Sequence, residues 1–389
     1  MRSYIIGTGG HTRFGKLEAS LEALIGEVAI EALVSAQMEA KDIDAIYIGN
    51  FNSGMCDQEF PASLVLNALP DMRFKPTTRV ENACASGSAA LHQAINLIEG
   101  GLARNVLVIG AEKMTDADAA RIGKGLLGAS YQPETQHQQA GFAGVFADVA
   151  SQYFEVNGDQ TEALARIAAK NHANGVHNPY AQLQKDVGVA FCRSVSEKNP
   201  IVAGPLKRTD CSPVSDGAAA VVISNQDVAN AASQKVRFLA RTQVTDFMPM
   251  RQRNPLVFDG VTRAWKNVLS DANITLDSLS FAEVHDCFTI AELMIYESMG
   301  LTPFGQGATA INEGWVMKDG RLPVNPSGGL KAKGHPVGAT GVSMHALAFR
   351  QLTNQAGDLQ VPGAELGLLF NMGGSAVANY VSVLEARKV

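Results

Sequence analysis

An α/β protein made of two similar halves is what this chain predicts, on three observations. Short β-branched runs alternate with stretches whose apolar residues recur three and four apart, the pattern of strands and helices packed in layers. The opening strand–helix–strand order returns after about residue 235. Between the two copies lies a Gly- and Gln-rich stretch with little sheet character, which reads as an insertion.

Tyr4-Ile-Ile-Gly7 is the first strand, followed by a polar Gly-rich loop through Gly15. Leu21, Leu24, Ile25, Val28, Ala29, Ala32, Leu33 and Ala36 share one helical face, and Ala45–Gly49 reads as a buried strand. A helix over 86–100 ends at Gly100-Gly101, and Asn105–Gly110 is the next strand. This alternation favours a parallel or mixed sheet covered by helices. Residues 115–200 read as an inserted, largely helical lobe, in which Leu164, Ile167, Ala168 and Asn171 mark one helix. His172, His177, Asn178, Pro179 and Tyr180 mark a surface loop after it. Sheet character returns over 216–224.

The second copy begins with a strand at Val236–Val244. Val261, Trp265, Val268, Leu269 and Ala272 follow at helical spacing, then a strand at Leu279–Val284. Ile43–Asn50 overlies Leu279–Asp286 without a gap, the 86–100 helix has a partner at 339–352, and Leu366–Phe370 repeats the 105–110 strand. Two halves, 1–230 and 231–389, with the insertion in the first, account for all three matches.

With 389 residues and 46% hydrophobic content the chain can bury a large core. No apolar run approaches the ~18 residues of a membrane span, and the start of the chain turns Gly-rich too early for a signal peptide. Five cysteines, at 56, 84, 192, 211 and 287, lack the pairing of a disulfide framework or a zinc site, so reduced thiols and a cytoplasmic location are expected. A formal charge of −6 with no basic run argues against nucleic acid as a partner.

The chemistry is expected at four places. Cys84, in Asn82-Ala-Cys-Ala-Ser-Gly-Ser88, lies at the turn leading into the 86–100 helix. There the helix dipole and an adjacent histidine can lower a thiol pKa from ~8.5 into the range of roughly 3.5 to 7.5; packing as a small hydrophobe is the alternative. His335, in Gly334-His-Pro-Val-Gly-Ala-Thr-Gly341, holds the equivalent place in the second half. Packed about a pseudo-twofold axis, the halves would bring this base to the thiol. His285 and Cys287 leave the end of a strand together, where α/β sheets hold reactive groups. The glycines of Asn371-Met-Gly-Gly-Ser375 can offer N–H groups to an oxyanion, or form a simple turn. Cys211 reads as structural.

These stretches, with Ser215-Asp-Gly-Ala-Ala-Ala220, resemble the thiolases, and within them the sterol-carrier-protein-type branch of acetyl-CoA C-acyltransferase-like enzymes. The resemblance runs from Tyr4 to about Leu384. It implies the thiolase fold, with two β/α halves in a five-layer α-β-α-β-α arrangement and an inserted loop domain, assembled as homodimers or homotetramers. It implies acyl transfer between acyl-CoA and acetyl-CoA, forming or cleaving 3-oxoacyl-CoA, with coenzyme A thioesters as substrates and no permanently bound cofactor or metal.

In that reading Cys84 is acylated and His335 activates it. His285 stands where many thiolases have an asparagine, and the N–H groups of Cys84 and Gly373 form an oxyanion hole. Most thiolases carry a second cysteine where this chain has Asn371, so Cys287 should take the acid/base role. Lys207, Arg208, Lys331 and Lys333 are candidate phosphate partners for CoA, against an ordinary solvated role for each. Some relatives assemble with an accessory OB-fold, zinc-ribbon protein. A ketoacyl-synthase-like condensing enzyme, transfer to a non-CoA acceptor, and a non-catalytic acyl-CoA-binding scaffold are the rival readings.

Overall fold

A computed structural model describes residues 2–386. Its strands are β1 (Ser3–His11), β2 (Ala45–Gly49), β3 (Thr77–Val80), β4 (Asn105–Glu112), β5 (Ile201–Ala203), β6 (Leu206–Lys207), β7 (Gly217–Asn225), β8 (Lys235–Thr245), β9 (Phe281–Glu283), β10 (Leu366–Gly373) and β11 (Ala378–Ala386). Nine form one mixed sheet in the order β3-β2-β4-β7-β1-β8-β11-β10-β9. The chain's early strands make up one side and β8 to β11 the other. Three residue pairs, Tyr4–Arg237, Ile5–Val236 and Ile6–Lys235, join them.

Helices sort into layers by what their apolar faces meet. The Leu21–Ala36 helix buries Leu24, Ile25, Val28 and Ala32 against the outer face of β1, β4 and β7. Ser86–Glu99 and Thr340–Leu352 pack on each other between the two sheet portions. Ile95, Ile98 and Phe349 share a core there with Val106 and Val221 on one side and Leu369 and Leu384 on the other. Asp259–Ala272 and Thr289–Ser298 cover the far side through Trp265, Val268, Ile290 and Leu293. The result is the expected five-layer α-β-α-β-α arrangement. Truncating a core residue such as Phe349 would cost about 3–5 kcal/mol.

Close backbone approach fixes how the two central helices begin. A Cβ on Gly87 would lie 2.8 Å from the Gly338 carbonyl oxygen, and one on Gly341 would lie 2.3 Å from the Ser88 nitrogen. Only hydrogens fit, so the two turns meet backbone to backbone. Helices Ala119–Leu127, Gln132–Thr135, Phe142–Asn157, Thr161–Gly175 and Gly188–Arg193 lie between β4 and β5. His172, expected in a surface loop, is a buried residue of the Thr161–Gly175 helix, because that helix continues past Asn171 and the ring's Nδ1 packs 3.1 Å from the Lys185 carbonyl. Among the described residues no helix is long and apolar enough to cross a membrane.

Candidate active site

The turn after β3 is strained where it presents Cys84. Ala83 has φ +49°, a left-handed conformation that costs a residue with a Cβ roughly 1–2 kcal/mol. Hydrogen bonds hold it: Asn82 N–H donates to Ser86 Oγ at 2.9 Å, and that hydroxyl donates to the Ala83 carbonyl at 2.6 Å. Cys84 thus sits just ahead of the Ser86–Glu99 helix, 5% exposed.

His335 is fixed from two sides. Its peptide N–H donates to Ser215 Oγ at 3.0 Å. Ser215 is held next to Asp216, which pairs with Lys113 at 2.8 Å and accepts from the Met114 and Thr115 amides. On the ring, Nδ1 lies 2.6 Å from Thr340 Oγ1, and that hydroxyl spends its hydrogen on the Pro336 carbonyl at 3.0 Å. Thr340 therefore accepts from Nδ1–H. This assigns a bare lone pair to Nε2, which has no partner of its own.

His285 has the opposite tautomer. Asn371 Nδ2 donates to the Cys84 carbonyl at 3.0 Å, which fixes the amide's orientation, and also reaches His285 Nδ1 at 2.9 Å. Nδ1 must accept, so Nε2 carries the hydrogen, and it too is unpartnered. The two rings meet edge to face, centroids 5.1 Å apart. One donor atom each from Cys84, His285 and His335 lie within 4.8 Å of one another. Such a trio resembles a zinc site in spacing, but a protonated Nε2 on His285 leaves two lone-pair donors instead of three.

Burial sets the protonation states. It pushes the Cys84 thiol up to about 12, against a smaller lowering by the N–H of Gly374 and its own N–H. Burial, then the charge of Lys333, brings His335 down to about 3. His285 is lowered by burial, then by His335, and Cys287 is raised by burial, then by the nearby Cys84. The resting pair is a neutral thiol and a neutral imidazole. This corrects the expected low thiol pKa, because desolvation at a buried helix start outweighs the dipole. The N–H of Gly374, next to the expected donor Gly373, faces the sulfur.

Behind these groups, Asp286 accepts from the amides of Leu330 at 2.6 Å and Lys331 at 3.1 Å and from Asn171 Nδ2 at 2.7 Å. It ties the His285–Cys287 segment to the one leading into His335. Glu112 does the same elsewhere, accepting from the amides of Phe51, Asn52 and Gly338, each at 2.9 Å.

Cys84, Cys287 and His335 line one cavity of about 510 Å³. Cys211, read as structural, lines it as well, since its strand-like segment runs beside Phe288. An adjoining cavity of about 530 Å³ shares Val202 and the 211–214 segment, and has Arg208, Lys198, His172 and Lys331 around it.

The four cationic candidates separate here. Lys207 is 2% exposed and paired with Asp210 at 2.8 Å, and Lys333 is wholly buried with an unpartnered Nζ. Neither is a solvated charge. Lys331 is buried at the second cavity's wall, and Arg208 is exposed there. The sequence alone assigns no role to Thr340, Ser215 or the Asn371 side chain, although each stands inside a stretch that carries the resemblance.

Comparison with known proteins matches residues 4–227 to the family description "Thiolase, N-terminal domain" and residues 242–386 to "Thiolase C-terminal domain-like". An acetyl-CoA acetyltransferase of Methanothermobacter thermautotrophicus is 36% identical over 379 residues, covering 96% of this chain and 97% of that one. Human sterol carrier protein 2 is 33% identical over 410 residues, covering 97% of this chain and 71% of that protein. Among solved structures, an Ltp2-ChsH2(DUF35) aldolase superposes with a TM-score of 0.83 at 19% identity, covering 99% of this chain and 98% of that one. The Acat5 thiolase from Ascaris suum in complex with coenzyme A gives 0.72 at 16%, covering 100% of both.

Proposed function

We propose, because this chain belongs to the thiolase family, that it cleaves and forms the C–C bond of 3-oxoacyl-CoA through an acyl-enzyme on Cys84. Thiolase-type acyl transfer follows from its relatives; the residue roles are the present reading. The observation that carries it is the meeting of Cys84, His285 and His335 within 4.8 Å, with the two imidazoles in opposite tautomers.

In the cleavage direction, the bare Nε2 of His335 takes the Cys84 proton as sulfur attacks the 3-oxo carbon. The N–H groups of Cys84 and Gly373, with that of Gly374 beside them, receive the new oxyanion. His335 is now Nε2–H, so it and His285 both donate, and together they stabilise the enolate that leaves as the C–C bond breaks. Cys287, kept as a neutral thiol by burial, gives its proton to C2 of that enolate and releases acetyl-CoA. The Cys287 thiolate then deprotonates incoming CoA, whose sulfur attacks the acyl-enzyme. Cys84 leaves as thiolate and takes its proton back from His335. Condensation is the reverse. Losing one oxyanion donor should cost on the order of 10²- to 10³-fold in rate.

The second cavity suits the polar arm of CoA, with Lys331 and Arg208 as its anion partners. CoA thioesters come as substrates. Soluble homodimers or homotetramers in the cytoplasm, and an accessory protein like the DUF35 component of the aldolase above, belong to the same reading.

The test is CoA-dependent loss of 3-oxoacyl-CoA by the purified chain, beside Cys84→Ala. Cleavage that needs both CoA and Cys84 supports the reading. Decarboxylation of a malonyl donor without use of acetyl-CoA would point to a ketoacyl-synthase-like enzyme, and activity confined to a complex would point to a partner.

A further inference from the structure

Gly123 is a helical glycine that the fold does not require. It lies inside the Ala119–Leu127 helix without a positive φ, and a Cβ added there meets nothing within 4 Å. Its neighbour Gly125 is different: a Cβ there would lie 2.5 Å from Met55. Glycine within a helix is unfavourable relative to alanine by about 1 kcal/mol. The visible consequence of that choice at 123 is space, and the space opens into the cavity that holds Cys84.

That end of the cavity is mainly apolar, with Gln139 as a polar member. Ile122 and Leu126 flank Gly123, Phe142 and Ala143 face them from the Phe142–Asn157 helix, and Phe288 completes the wall. Phe288 stacks on the buried Phe146 at 4.6 Å, so the wall is backed by a second ring and cannot easily fold inward. Among the described residues no Asp, Glu, Lys or Arg lines the cavity. The segment shared with the charged second cavity, 211–214, does not include these residues. Polar and apolar parts of a substrate would therefore part company at that segment. An acetyl group would leave most of the 510 Å³ without contacts, whereas ligand pockets of ~300–1,000 Å³ are commonly filled by much larger apolar groups.

We infer that the acyl group carried by Cys84 is a long or ring-bearing, uncharged hydrocarbon chain, and that Gly123 sets its upper size. This rests on the acyl-enzyme reading above. Adding four methylenes that enter such a pocket should raise kcat/KM by about 10-fold or more.

The experiment compares acetoacetyl-CoA, 3-oxohexanoyl-CoA, 3-oxooctanoyl-CoA and an ω-carboxy-3-oxooctanoyl-CoA, with the full-length chain and with Gly123→Leu and Gly123→Ala. The Cβ of either replacement meets nothing within 4 Å, and unchanged thermal midpoints confirm that both variants fold. The expected result is a rise from four to eight carbons in the parent, a poor ω-carboxy substrate, and an eight-to-four preference that falls at least about 10-fold in Gly123→Leu. Gly123→Ala should fall between. A flat chain-length profile in the parent, or a Gly123→Leu loss equal at every length, would overturn the inference while leaving thiolysis itself intact. No CoA-dependent cleavage at any length is a separate result, and it sinks the underlying reading too.

Discussion

Asn371 Nδ2 reaches Nδ1 of His285 at 2.9 Å, and by donating there it decides that the hydrogen of that ring sits on Nε2. The same amide is anchored by the Cys84 carbonyl, so a single side chain links the turn of Cys84 to His285. Asn371→Asp should reverse the relationship, because a carboxylate accepts from Nδ1–H and leaves Nε2 bare. We expect cleavage to fall on the order of 10²-fold above neutral pH and to recover in part on acidification, as a protonated His285 regains Nε2–H. A pH profile parallel to the parent's would show that Asn371 does not control the tautomer.

The pH dependence of acylation carries a second prediction. His335 must be neutral to act as base, and burial lowers it to about 3. A depressed histidine stays neutral as pH falls past its ordinary value of ~6.5, so acyl-enzyme formation should hold nearly constant from pH 7 to about 5 and fall only below that. Rapid-quench rates over pH 4.5 to 8 measure it. A fall centred near 6.5 would mean that the imidazole is not desolvated.

Cys287→Ala separates the two half-reactions. The variant should still form an acyl-enzyme from a saturated acyl-CoA, since Cys84, His335 and the backbone donors remain. C–C cleavage and condensation should drop by roughly 10²- to 10⁴-fold, the usual reach of general acid–base catalysis. Single-turnover kinetics with each substrate would show the split, and near-normal cleavage would assign the proton to another group.

Gly341→Ala tests the backbone contact that brings the two helix starts together. Its methyl would lie 2.3 Å from Ser88 N and 2.6 Å from Asn371 Oδ1. We expect a loss of about 1–3 kcal/mol in urea unfolding, with slower alkylation of Cys84 by iodoacetamide. Unchanged stability would mean the two turns separate easily.

Much of the site was legible because its residues occupy equivalent turns of a repeated pattern. Cys84 and His335 stand at matching helix starts, and His285 and Cys287 leave the second copy of a strand whose first copy is β2. Hydrogen-bond direction was not legible. That Thr340 spends its hydrogen on Pro336, and that Asn371 turns its nitrogen toward Cys84, depend on where separate loops arrive. Burial was misread for the same reason: nothing in the spacing of Lys207 or Lys333 says which loops will cover them. In the fold, layer order followed from the apolar faces. Strand ends shifted by one to four residues, as with β1 running on to His11 and β9 confined to Phe281–Glu283, because pairing with neighbouring strands and not apolar content ends a strand.

The most direct measurement is the mass of the covalent intermediate. After brief mixing with octanoyl-CoA and acid quenching, the intact chain should gain one octanoyl group, and peptide mapping should find it on Cys84. The adduct should vanish on adding CoA and be absent from Cys84→Ala. No adduct under conditions of turnover, or an acyl group carried by Cys211 or Cys287 instead, would contradict the account.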